Sequence, residues 1–99
     1  KNNRGFVKEV MFHLGQAQLQ VGERSEAEKM LSQALQPIQE TKDGAKAMTV
    51  YQQLGRLAED RKDNIRAEKM YSHALTVAKQ MKNKEAQKVI KDMLKNVRG

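Results

Sequence analysis

The chain has 99 residues, no cysteine and a formal charge of +7, with 38% hydrophobic and 4% aromatic content. That length makes one domain with a modest core, and the missing cysteines exclude a disulfide framework, a thiolate metal site and a cysteine nucleophile. There is no apolar run long enough to span a membrane, and the first residues lack the charged-then-apolar order of a signal peptide.

Alternating Val, Ile, Thr or Tyr runs are missing while Ala, Leu, Glu, Lys, Gln and Met dominate, so the chain reads as all α. Asn3, Asp43 and Asn83 recur forty residues apart, each just before a helical pattern, where a short side-chain oxygen accepts from the orphan amides of a first turn. The first helix is expected over residues 4–21 and closes at the turn chemistry of Gly22-Glu23-Arg24-Ser25. Ala27, Met30, Leu31, Ala34, Leu35 and Ile38 then space out one face of a second helix. Pro37 lies inside it, where a missing N–H is expected to kink or shorten the last turn. The third helix is predicted over 44–62 and the fourth behind Lys62-Asp63-Asn64, with Ala67, Met70, Tyr71, Ala74, Leu75 and Ala78 as its apolar face. A fifth, over 84–97, sets Ala86, Val89, Ile90, Met93, Leu94 and Val97 against a cationic stripe of Lys84, Lys88, Lys91, Lys95 and Arg98.

These helices echo one another at a spacing of forty. Leu14-Gly15 falls on Leu54-Gly55, Ala27-Glu28-Lys29-Met30 on Ala67-Glu68-Lys69-Met70, and Ala34-Leu35 on Ala74-Leu75, while Leu94 continues the series from Leu14 and Leu54. Most matched positions are small or apolar at helical spacing, which makes the echo a packing code. Short connections favour antiparallel neighbours, and a helix pair that cannot close its own core must stack on the next.

The matched residues resemble the tetratricopeptide repeat family. Met11, Leu14-Gly15, Ala27, Leu31 and Ala34 fill its signature in the first copy, and Tyr51, Leu54-Gly55, Ala67, Tyr71 and Ala74 in the second. Gln18 and Ala58 depart from the second aromatic position, and the period of forty exceeds the usual one, which implies longer helices. The resemblance implies a right-handed α-solenoid of antiparallel helix pairs, with one repeat over 3–41, a second over 42–81 and a basic capping helix, a truncated third repeat, over 82–99. It also implies a concave groove lined by the odd-numbered helices. Carried over residue by residue, that groove holds Glu9, Phe12, Gln16 and Leu19, then Thr49, Gln52, Gln53 and Arg56, followed by Glu59 and, on the last helix, Val89, Asp92 and Asn96. Phe12 is the expected anchor and Arg56 the charged contact.

The implied function is an adaptor or scaffold that binds a peptide or helical segment of another protein in that groove. The competing reading is a structural element that stacks on further repeats or on a second copy, with the basic last helix meeting an acidic partner or a membrane surface. Phe12, Gln16, Val89 and Met93 stand where the family's carboxylate clamp needs Lys, Asn, Lys and Arg, which disfavours an acidic C-terminal tail as ligand. Nucleic acid is disfavoured too, because no aromatic interleaves with the cationic stripe to stack on bases. Catalysis needs converging acid, base or nucleophile groups, whereas His13 and His73 lie among scattered polar residues, so neither an enzyme nor a cofactor is expected. About two and a half repeats without an initiator methionine read as a fragment of a longer protein, and the composition leaves its compartment open.

Overall fold

The computed structural model describes residues 4–98; Asn3, expected as the first cap, lies outside them. They form five helices: α1 (Arg4–Gln20), α2 (Arg24–Glu40), α3 (Gly44–Asp60), α4 (Asn64–Gln80) and α5 (Lys84–Arg98). Each packs on the next in chain order, α1 on α2 through α4 on α5, and the stack measures 46 × 32 × 19 Å. Its thin dimension corresponds to two helix layers at ordinary packing distance.

One connection is used four times, at a spacing of twenty residues. Gly22, Lys42, Lys62 and Lys82 each take a positive φ of 85°, 56°, 65° and 57°. The residue after each donates its N–H back to a carbonyl five residues earlier: Glu23 to Gln18, Asp43 to Ile38, Asp63 to Ala58 and Asn83 to Ala78, at 2.8–3.1 Å. This left-handed turn satisfies the last carbonyls of the outgoing helix. At three of the four, the same third residue then caps the incoming helix: the Oδ1 atoms of Asp43, Asp63 and Asn83 accept from Lys46, Arg66 and Ala86 N–H at 3.2, 3.1 and 3.0 Å, whereas Glu23 makes no side-chain cap bond. The caps at Asp43 and Asn83 follow the sequence expectation, and Asp63 adds a third.

The repeated small residues sit where paired helices cross. A Cβ added at Gly15 would lie 2.6 Å from Leu31 Cδ2, and one at Gly55 would lie 2.7 Å from Tyr71 Cδ1. Ala27, Ala34, Ala67 and Ala74 are fully buried, and Leu31, Ile38, Val50, Leu54, Tyr71 and Ile90 are the largest buried side chains around them. α3 buries residues toward both neighbours, including Val50, Leu54 and Leu57 as well as Gly55 and Ala58.

Two expectations are corrected. α2 does not end early at Pro37 but continues to Glu40, as long as α1, α3 and α4. A proline this near the C-terminus forfeits one amide bond, and its own carbonyl accepts from the Thr41 N–H at 3.1 Å and the Thr41 hydroxyl at 3.0 Å. Val89, assigned to the covered apolar face of α5, is half exposed; Ile90 and Leu94 carry the burial.

Candidate interaction surface

Side-chain contacts bridge α1 to α3 and α3 to α5. Between α1 and α3, the Gln16 and Gln53 carboxamides bond reciprocally: Gln16 Nε2 donates to Gln53 Oε1 at 2.6 Å and Gln53 Nε2 to Gln16 Oε1 at 2.7 Å. Each amide has further donor and acceptor capacity beyond this pair. Nearer the start of α3, Lys46 reaches Glu9 at 3.2 Å and Asp43 at 3.6 Å, and its ammonium stands 5.3 Å from the Phe12 ring centroid. Lys8 closes the cluster with a 3.0 Å bond to Asp43. Across the α3–α5 seam the Gln52 amide approaches the Met93 sulfur at 4.0 Å.

The charges in this cluster hold one another ionised. The hydrogen bond from Lys46 draws the Glu9 carboxyl below its ordinary pKa, aided by the charges of Lys46 and Lys8, and the same bond raises Lys46. Burial disfavours charge on Asp43, yet the Lys8 ammonium and the Lys46 N–H outweigh it and leave that carboxyl lowered. On the opposite side of α3, burial and a hydrogen bond to Glu59 push the Tyr71 hydroxyl upward.

Glu9, Phe12, Gln16, Gln52 and Gln53 are therefore engaged across helix seams. Phe12 is half-buried against the core and meets His13 edge-on at 5.6 Å. Leu19 packs against the core, the Thr49 hydroxyl donates to Ala45 within its own helix, and Arg56 is exposed. Lys84, Lys88, Lys91, Lys95 and Arg98 are exposed along α5, with Arg98 Nε 2.8 Å from Glu68. Among the described residues there is no cluster of three or more His, Cys, Asp or Glu that could hold a metal ion, and no helix is long and apolar enough to cross a membrane.

The sequence reading missed two features. Lys46 and Asp43 organise the α1–α3 seam, but the pairs link residues far apart in the chain and have no local signature. The second is an exposed apolar stripe on α1. Val10 is 47% exposed where its counterpart Val50 is fully buried, and Leu14 is 44% exposed where Leu54 is 1%. Phe6 and Val21 extend the stripe at either end. The counterparts are covered because α2 packs on α3, and no helix in the described residues plays that part for α1. The forty-residue alignment carried this signal, since the same residue types recur with a covering helix ahead of only the second.

Fold and seams together define an all-helical domain of sequentially packed, repeated units. No family model, curated protein or solved structure matches the chain.

Proposed function

We propose that this chain is a protein-interaction module of the tetratricopeptide type, holding a peptide or helical segment of a partner on the face made by α1, α3 and α5. The observation that supports this reading is the seam chemistry: a paired amide and a cation over an aromatic ring lie between α1 and α3, and a thioether meets an amide between α3 and α5. Amides with spare hydrogen-bonding capacity suit a peptide backbone, and the ring and sulfur suit apolar side chains. No covalent step is assigned to these residues. Replacing Phe12, Gln52 and Arg56 together by alanine is expected to abolish binding of the natural partner with the helical circular dichroism retained. Undiminished affinity would refute the surface.

A second reading rests on the α1 stripe, which has the residue types of an inter-repeat face and fits stacking on a further helix or on a second copy. Light scattering across concentration separates the two. A dimer that dissociates when Val10 and Leu14 are replaced by lysine supports stacking, and a monomer that binds a partner segment supports the module.

A further inference from the structure

The far end of the stack carries a groove between α4 and α5, away from the odd-helix face. Leu75 and Leu94 form its apolar floor, flanked by Ser72 and Thr76 from α4. It is open to solvent and encloses about 640 Å³, room for the side chains of one helix face. The repeat register says what kind of element such a place accepts. One unit earlier, α4 itself packs against α3, with Tyr71 over Gly55, and Glu28 of α2 holds its approach through Arg61 at 2.6 Å and Arg66 at 3.6 Å. In the groove at the end of the stack, Glu68 stands for Glu28, Lys91 for Tyr51, Lys95 for Gly55 and Arg98 for Ala58.

The seat of a following even-numbered helix is thus present, with its neutral wall turned cationic. Lys95 replaces the glycine that admits Leu31 or Tyr71, so a close apolar crossing of the α2 or α4 kind is blocked. Lys91 and Lys95 sit one turn apart, repel each other, and form no ion pair among the described residues. Arg98 has one carboxylate, Glu68. An occupant with matching negative charge relieves that repulsion, and an apolar occupant without it is rejected.

We infer that this groove docks an acidic amphipathic helix of another protein. Its carboxylates recur at i, i+3, i+7 and i+10, matching the stepping of Lys88, Lys91, Lys95 and Arg98, and a flanking row of small apolar residues meets Leu75 and Leu94. The helix lies antiparallel to α5, as α4 lies to α3.

The test uses the whole chain and a labelled helical peptide of about 18 residues, long enough to hold helical structure, with Glu at that spacing and Ala and Leu on one flank. A control peptide of the same composition scatters its Glu around the helix. Fluorescence anisotropy is expected to show the patterned peptide binding at about 20 mM salt, at least about tenfold more tightly than the control, and weakening toward about 150 mM. Lys91→Glu with Lys95→Glu reduces binding about tenfold or more, and a peptide with Lys in place of Glu then binds that variant. Should the double reversal lose its helical circular dichroism, Lys91→Gln with Lys95→Gln supplies the same loss. Equal binding of patterned and scattered peptides, binding indifferent to the substitutions, or capture by phosphatidylserine vesicles with no peptide binding would each overturn the inference.

Discussion

Gly55→Ala isolates the packing code more cleanly than any other single change. Alanine is favoured over glycine inside a helix by about 0.8–1.0 kcal/mol, so on propensity alone the variant should be more stable. The added methyl, however, would sit 2.7 Å from Tyr71 Cδ1 and 2.9 Å from Cζ, well inside contact distance for a ring edge. Tyr71 is 1% exposed, so the ring has no solvent side to swing toward. Overpacking of this kind costs about 1–3 kcal/mol. Because the ring is pinned, the upper half of that range applies, and the net loss is about 1–2 kcal/mol. Urea denaturation followed by circular dichroism reads this as a midpoint lower by about 1 M. Gly5→Ala is the reference, since a Cβ there meets nothing within 4 Å; it is expected to be neutral or slightly stabilising. If Gly55→Ala proved as stable as wild type, the close α3–α4 crossing and the reasoning built on the glycine echo would be wrong.

Four further expectations follow from the connections, the α1–α3 cluster and the buried Tyr71. Glycine at Lys42, Lys62 or Lys82 removes the steric cost of the left-handed turn at the expense of chain entropy, so each substitution should raise stability by up to about 1 kcal/mol in urea titrations. Asp43→Ala removes a helix cap along with the Lys8 and Lys46 contacts, and should lose about 1–2 kcal/mol. Both Asp43 and Glu9 have lowered folded pKa values, so their contribution is present above the unfolded values near pH 4 and fades as pH falls through the folded ones. The stability gap between wild type and an Asp43→Asn, Glu9→Gln variant should therefore narrow below about pH 4. Tyr71 works in the opposite sense: its raised value means that stability falls once the unfolded tyrosine ionises above about pH 10, a fall that Tyr71→Phe should remove.

The helices were legible in the sequence because their signals are local. Apolar spacing in Ala27, Leu31, Ala34 and Ile38, and caps such as Asp43 and Asn83, act within a turn or two of the residues that display them. The crossings were legible for a different reason: a glycine that recurs at 15 and 55 opposite Leu31 and Tyr71 has few other uses in a helix. Pro37 misled because its missing N–H and its ring act on the preceding turn, while the residues after it stay free to continue the helix and its own carbonyl is taken up by Thr41. The left-handed lysines were hidden because glycine appears at only one of the four equivalent turns, and hydrogen bonding in the turn overrides residue preference at the other three.

The surface was less legible than the core. Phe12 reads in sequence as the groove's anchor, whereas Lys46 stands over its ring from the next odd helix. Gln16 and Gln53 read as two independent groove amides and bond to each other. Such pairings depend on how α1 and α3 lie side by side, which no local pattern encodes. Exposure at the α1 stripe likewise depends on a neighbour that precedes α3 and does not precede α1 among the described residues.

The most direct test of the interaction reading is an amide chemical-shift titration of the isotopically labelled chain with a segment of its natural partner. Binding on the odd-helix face predicts perturbations concentrated at Gln16, Gln52, Gln53 and Arg56, absent in the Phe12, Gln52 and Arg56 alanine variant. Perturbations confined to α2 and α4, or an unchanged spectrum at saturating partner, would contradict it.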